Sequence, residues 1–194
     1  MPRERREQLI LDVAGQVFAR AGYESAPMDE IADRAGVSKP MLYTYFGSKE
    51  GLYLAYIERA GGELLERLVG AKPADASPAA MLRARITEFL SFVEEHRDGW
   101  LVLFRELGST RPFAERVAEL RKRIAGAIRV MVEESAGTCA GHAPAASDAI
   151  AHALLGAGES LANWWLDHPE VSRDEVAAWY FGVVQAVVSG AARA

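Results

Sequence analysis

Two serine–lysine pairs, Ser38-Lys39 and Ser48-Lys49, stand at the two ends of the segment SKPMLYTYFGSK. Serine is a strong helix N-cap, so each lysine falls at the first helical position. A helix N-terminus carries partial positive charge, and a lysine there costs about a few tenths of a kcal/mol. An external anion reverses that cost, because a phosphate meets amide N–H groups, the helix dipole and the ammonium together. Tyr43 and Tyr45 suit the same partner, with the ring laid on a sugar-phosphate backbone and the hydroxyl donated to a phosphate oxygen. Met41 and Thr44 can touch a thymine methyl group or a base edge. The plain alternatives are that exposed lysines tolerate such positions cheaply, and that a tyrosine beside Phe46 is half-buried core with its hydroxyl at the surface.

The elements that position these side chains are helical. Met28, Ile31, Ala32 and Ala35 recur at helical spacing, and Gly36 ends that helix. After a turn of a few residues, Ser38 starts a second helix that runs to Phe46. Two short helices joined by a glycine-bearing turn form a helix-turn-helix signal. Val37, Leu42 and Phe46 fall on one side of the second helix and can pack on Ile31 and Ala32. Lys39, Pro40, Met41, Tyr43, Thr44 and Tyr45 surround the rest, as a surface whose start enters a major groove. Upstream, Arg3 to Ala21 reads as an amphipathic helix ending at Gly22. Downstream, a longer helix starts at Ser48 and reaches about Val69. The small-residue segment AKPADASP follows, then helices over about 78–96, 98–108, 112–135, 145–167 and 173–192.

The segment GYESAPMDEIADRAGVSKPMLYTYFGSKEGLY closely resembles the DNA-binding segment of the TetR-type, or tetracycline-repressor-like, transcriptional regulators. The resemblance rests on Gly22-Tyr23, Ile31-Ala32, Ala35-Gly36-Val37-Ser38, Leu42-Tyr43, Tyr45-Phe46, Ser48-Lys49-Glu50 and Leu52. It implies an all-α fold, with a three-helix DNA-binding domain over 1–48 and a helical ligand-binding and dimerisation domain over 49–194. It implies base or groove contacts from Ser38, Lys39, Pro40, Met41 and Thr44, and phosphate contacts from Tyr43, Tyr45 and Lys49. Three positions depart from the pattern. Pro27 stands where many members carry a capping threonine. Pro40 stands where glycine is usual, and stiffens the first turn. Asp29 stands near a position that some members fill with a basic, base-reading residue. A carboxylate there can accept from a cytosine amine, but the favoured reading is that it complements the helix dipole.

In the remaining chain the last helix, from Val176 through Trp179, Tyr180, Val183, Val184, Val187 and Val188, is apolar nearly all round, and the helix over 145–167 is almost as apolar. A partner copy that covers the outer side of both explains the pattern, as a symmetric four-helix interface. The resemblance implies the same homodimer, and twofold symmetry implies a near-palindromic operator. His152, Glu159 and Asn163 interrupt the apolar helix along one stripe. They line a ligand pocket, or they hydrogen-bond within the core. The aromatics Phe89, Phe92, Trp100, Phe104 and Trp164 extend either reading, and Arg105 can hold an anionic group or join a surface ion pair. FLSFVEEHRDGWLVLFREL and WWLDHP are similar, loosely, to a lipid-metabolism branch that senses acyl-CoA thioesters, which implies a lipophilic effector that releases a repressor from DNA.

Bulk composition limits the alternatives. The net charge is −5, so DNA contact must come from local arrangement rather than a global basic field. The single cysteine excludes an intrachain disulfide and suits a cytoplasmic, nucleoid-associated protein. The apolar run from Val176 to Ala192 carries Gln185, Ser189 and two glycines, and reads as a buried helix rather than a membrane span. An enzyme, a metal centre or a cofactor is not expected. The chain holds no E-x-x-H or H-E-x-x-H pair, Cys139 and His142 form a lone C-x-x-H in a glycine-rich loop, and Glu94, Glu95, His96 and Asp98 read as a solvated helix end. A helical ligand-binding bundle without specific DNA binding is the remaining rival.

Overall fold

The computed structural model describes residues 2–71, 73, 77–100, 111–135 and 144–191. Among them the chain forms nine helices and no strand: α1 (Arg3–Ser25), α2 (Met28–Arg34), α3 (Lys39–Phe46), α4 (Lys49–Gly70), α5 (Pro78–Glu95), α6 (Arg97–Trp100), α7 (Arg111–Ser135), α8 (Pro144–Leu166) and α9 (Arg173–Ala191). The all-α reading stands. The helix expected over 98–108 is described only up to Trp100, and the rest of it lies outside the described residues.

By spatial proximity the chain divides into two compact units. The head unit holds 1–62 and 96–118, and the C-terminal unit holds 63–95 and 119–194. The sequence reading divided the chain at 48/49. α4, from Lys49 to Gly70, supplies residues to both units.

In the head unit α1 buries Ile10, Leu11, Val13, Ala14, Val17 and Phe18 along one face. Gly22 adopts φ 71°, ψ 163°, a conformation that favours glycine, and it kinks the chain before one further turn to Ser25. Phe18, Tyr23, Tyr53 and Phe113 then form an aromatic cluster with centroids 4.6–4.9 Å apart between successive neighbours. Arg59 of α4 reaches the Gln8 carbonyl at 3.1 Å and Asp12 at 2.8 Å on α1. These contacts make α1 and α4 the frame on which α2 and α3 sit.

In the C-terminal unit α5 and α8 pack on α9. The Tyr180 hydroxyl donates to the Leu154 carbonyl at 2.7 Å, and Arg83 lies 3.9 Å from the Phe181 ring centre. Arg173 donates to Ser91 at 3.2 Å and Glu94 at 3.1 Å. Arg85 ties α5 to Glu134 of α7.

Candidate nucleic-acid interface

α3 is built from its ends inward. The Ser38 side chain accepts from the Met41 amide at 3.3 Å, as an N-cap should, and Pro40 fixes φ in the first turn. Gly47 at φ 75° ends the helix, and the Gly47 amide donates to the Tyr43 carbonyl. Ser48 caps α4 by accepting from the Gly51 amide at 2.9 Å. Gly51 is a residue the sequence reading passed over. A Cβ there would lie 2.0 Å from the Phe46 carbonyl oxygen, so the α3–α4 corner closes only around glycine. Gly36, at φ 64°, turns the chain between α2 and α3.

Leu42 is the buried residue of α3, at 0% exposure, and it faces a core that includes Ile31 and Ala32. Phe46, grouped with it from sequence, is only half-buried. Lys39, Pro40, Tyr43 and Thr44 are exposed, while Met41 and Tyr45 are half-buried. The Thr44 hydroxyl donates to the Pro40 carbonyl at 2.9 Å. Arg3 stacks its guanidinium 5.3 Å from the centre of the Tyr45 ring, which fixes that ring from the N-terminal side.

The two lysines differ. Lys39 lies on the open surface, with its ammonium 3.0 Å from each carboxylate oxygen of Asp29, and that hydrogen bond raises its pKa above the ordinary lysine value. Lys49 instead donates to the Glu24 carbonyl at 2.9 Å and lies over the Tyr23 ring, and partial burial lowers its pKa. It staples the turn after Gly22 to the start of α4. α2 is held to α1 by Glu30, which accepts from Arg20 at 2.6 Å and Arg34 at 3.3 Å; the Arg20 hydrogen bond holds its carboxyl below the usual range.

The second set of expected site residues is drawn from several helices. Phe104 and Arg105 lie outside the described residues. Trp100 is fully buried in the head unit, where α6 packs on α1. Phe89, Phe92, Glu159 and Asn163 belong to the C-terminal unit. His152 shares α8 with Glu159 and Asn163 but is exposed, 3.8 Å from Asp148. Phe92 is buried, and the Phe89 ring lies 6.3 Å from Tyr180. Glu159 is buried. Its Oε2 pairs with Arg121 at 2.5 Å, while Oε1 meets no donor among the described residues. Burial raises its pKa, and Arg121 opposes that. Its neighbour Gly158 leaves room for the Tyr180 hydroxyl, which would lie 2.9 Å from an added Cβ.

A capped short helix with an exposed polar face, mounted behind a glycine turn on a second short helix, defines a helix-turn-helix DNA-binding protein. The family model described as bacterial regulatory proteins of the tetR family matches residues 10–56, and the one described as the tetracyclin repressor-like C-terminal domain matches 78–187. The HTH-type transcriptional activator FasR of Mycolicibacterium smegmatis is 34% identical over 87% of this chain and 75% of its own length. A TetR-like transcriptional regulator from Rhodococcus sp. RHA1 superposes with a TM-score of 0.78 at 36% identity, over 98% of this chain and 99% of that one. The fold is shared with the transcriptional regulator FadR of Bacillus subtilis, solved with stearoyl-CoA, at a TM-score of 0.76 and 20% identity over 94% of this chain and 98% of that one. The chain belongs to the TetR family of DNA-binding transcriptional regulators.

Proposed function

We propose that the chain is a cytoplasmic, ligand-responsive homodimeric repressor that holds a near-palindromic operator with one α3 in each of two major grooves. The observation that carries this is the make-up of α3. A single side chain, Leu42, is buried, and Lys39, Pro40, Tyr43 and Thr44 stand exposed around it. An eight-residue helix with so little burial is positioned for something outside the fold. Ser38 and Met41 lie at its start beside the bases, Tyr43 and Tyr45 reach the backbone, and Lys49 has two ammonium donors left for a phosphate after Glu24.

The dimer is formed by α8 and α9. Trp179, Val183 and Val187, one turn apart on α9, are 50%, 50% and 37% exposed in the single chain, and Trp164 of α8, 40% exposed, lies 6.2 Å from Trp179. A second copy covers this face. The effector is a lipophilic molecule, with a fatty acyl-CoA as first candidate. Supporting it is the stearoyl-CoA held by a protein of the same fold. DNA and effector then oppose each other reciprocally. FasR bears the name of an activator, which favours a second reading in which the same bound dimer recruits rather than blocks transcription.

The test is an electrophoretic titration of a fragment from the gene's own upstream region, with and without stearoyl-CoA. The expected result is one shifted dimer complex that stearoyl-CoA dissociates. A complex unmoved by acyl-CoAs of every chain length removes the effector reading. In vitro transcription on the same fragment separates repressor from activator.

A further inference from the structure

Asp29 and Lys39 face each other across the open end of the helix pair, one at the start of α2 and the other at the start of α3. Asp29 is 71% exposed and Lys39 46%, so this is a solvated ion pair, a kind that adds little to stability. Its geometry is nevertheless well defined. The ammonium lies 3.0 Å from both carboxylate oxygens. The backbone of Lys39 is fixed as well, by the Ser38 cap on one side and Pro40 on the other. A lysine that binds phosphate is a loosely held point charge on a flexible stem. Lys39 is held at both ends.

We infer that Asp29 and Lys39 act as one base-reading unit, in which Asp29 sets the sequence specificity of the head by holding Lys39 toward a G·C pair and away from phosphate. The inference rests on α3 entering the major groove. Lys39 keeps a donor for guanine O6 or N7, and Asp29 keeps lone pairs for the N4 amine of the paired cytosine. An A·T pair carries its amine on the purine, adenine N6 beside N7, and its pyrimidine edge offers only thymine O4 and a methyl group, which would meet the carboxylate where cytosine N4 meets it in G·C. The pair is neutral overall, so it adds nothing to sequence-independent attraction, and an unsatisfied carboxylate beside phosphate penalises wrong registers. The cost of ordering a lysine side chain is met in the free protein, which favours the correct site without strengthening others. Other acids do not compete for Lys39: α3 has none in its first turn, and Glu30 is engaged by Arg20 and Arg34.

The test is selection from a randomised duplex library with the full-length wild type, Asp29→Ala, Asp29→Asn and Lys39→Ala, with salt titrations on a fixed non-operator duplex. Wild type is expected to return a site with one invariant G·C pair at mirrored positions of the two half-sites. Asp29→Ala is expected to lose about tenfold or more of the discrimination at that pair. It is also expected to bind the non-operator duplex more tightly, with a salt slope steeper by about one per protomer. Lys39→Ala is expected to relax the same base pair without that gain. Since both side chains are exposed, the melting temperatures of all three variants stay close to wild type, which separates reading from folding. A wild type that selects a strict G·C pair which Asp29→Ala reads equally strictly, at an unchanged salt slope, overturns the inference alone. A wild type that selects no sequence overturns the reading of α3 on which it rests.

Discussion

The head unit exposes polar groups on a helix held by one buried residue, Leu42, whereas the C-terminal unit exposes apolar bulk, Trp164, Trp179, Val183 and Val187, on helices that are otherwise well packed. Their carboxylates contrast in the same way. Glu30 of the head is solvated and paired with arginines, and its pKa is lowered; Glu159 of the C-terminal unit is buried, and its pKa is raised. Exposed side chains therefore carry opposite meanings in the two units. In the head they suit the charged, patterned partner proposed for α3, and in the C-terminal unit they suit the second copy proposed for α8 and α9.

The largest effect expected from breaking this contrast is in the head core. Phe18→Ala removes the ring that meets Tyr53 edge-on at 4.8 Å, and should cost about 3–5 kcal/mol, read by denaturant unfolding, with loss of DNA binding. Trp179→Ala should cost a single chain little, because half the residue is already exposed, but should weaken self-association by about 2 kcal/mol or more in analytical ultracentrifugation. Gly51→Ala drives a methyl group into the Phe46 carbonyl, and about 1–3 kcal/mol of strain at the α3–α4 corner should lower DNA affinity more than it lowers helix content. Ser172 and Glu175 form a capping box at the start of α9, each backbone amide donating to the other's side chain, so Ser172→Ala should cost about 1 kcal/mol, seen as a lower melting temperature of the C-terminal unit.

The smallest effect is a difference in the sign of pH dependence. The stability from Glu30 is present above its unfolded pKa, near 4.5, and is lost as pH falls through its lower folded value. Glu159 does the reverse. Its contribution is full below 4.5 and is lost as pH rises through its higher folded value. Urea unfolding of Glu30→Gln and Glu159→Gln across pH 3 to 7 (about that span, set by the ordinary carboxylate range) should remove one slope each, of opposite sign.

The sequence made the helix ends legible where local chemistry sets them. Ser38 and Ser48 cap as their positions suggest, Gly36 and Gly47 take positive φ, and α2, α3, α5 and α7 to α9 begin and end within a residue or two of expectation. α1 continues past its expected end to Ser25, because the kink at Gly22 leaves room for one more turn. What pairs across distance was not legible. Nothing local joins Lys49 to the Glu24 carbonyl, 25 residues away, or Arg121 to Glu159, 38 residues away. Asp29 read as a dipole partner because helix position was its visible signal; the lysine beside it comes from the packing of α2 on α3.

The most direct test of the account is genomic capture. Purified full-length protein is mixed with sheared genomic DNA and excess competitor at physiological salt, and the retained fragments are sequenced, for the wild type and for Lys39→Ala, Tyr43→Ala together. The account predicts that the wild type retains few fragments sharing a near-palindromic sequence, and that the double variant, equally stable and still dimeric, retains none of them. Retention by wild type without a shared sequence, or equal retention by the double variant, would contradict it.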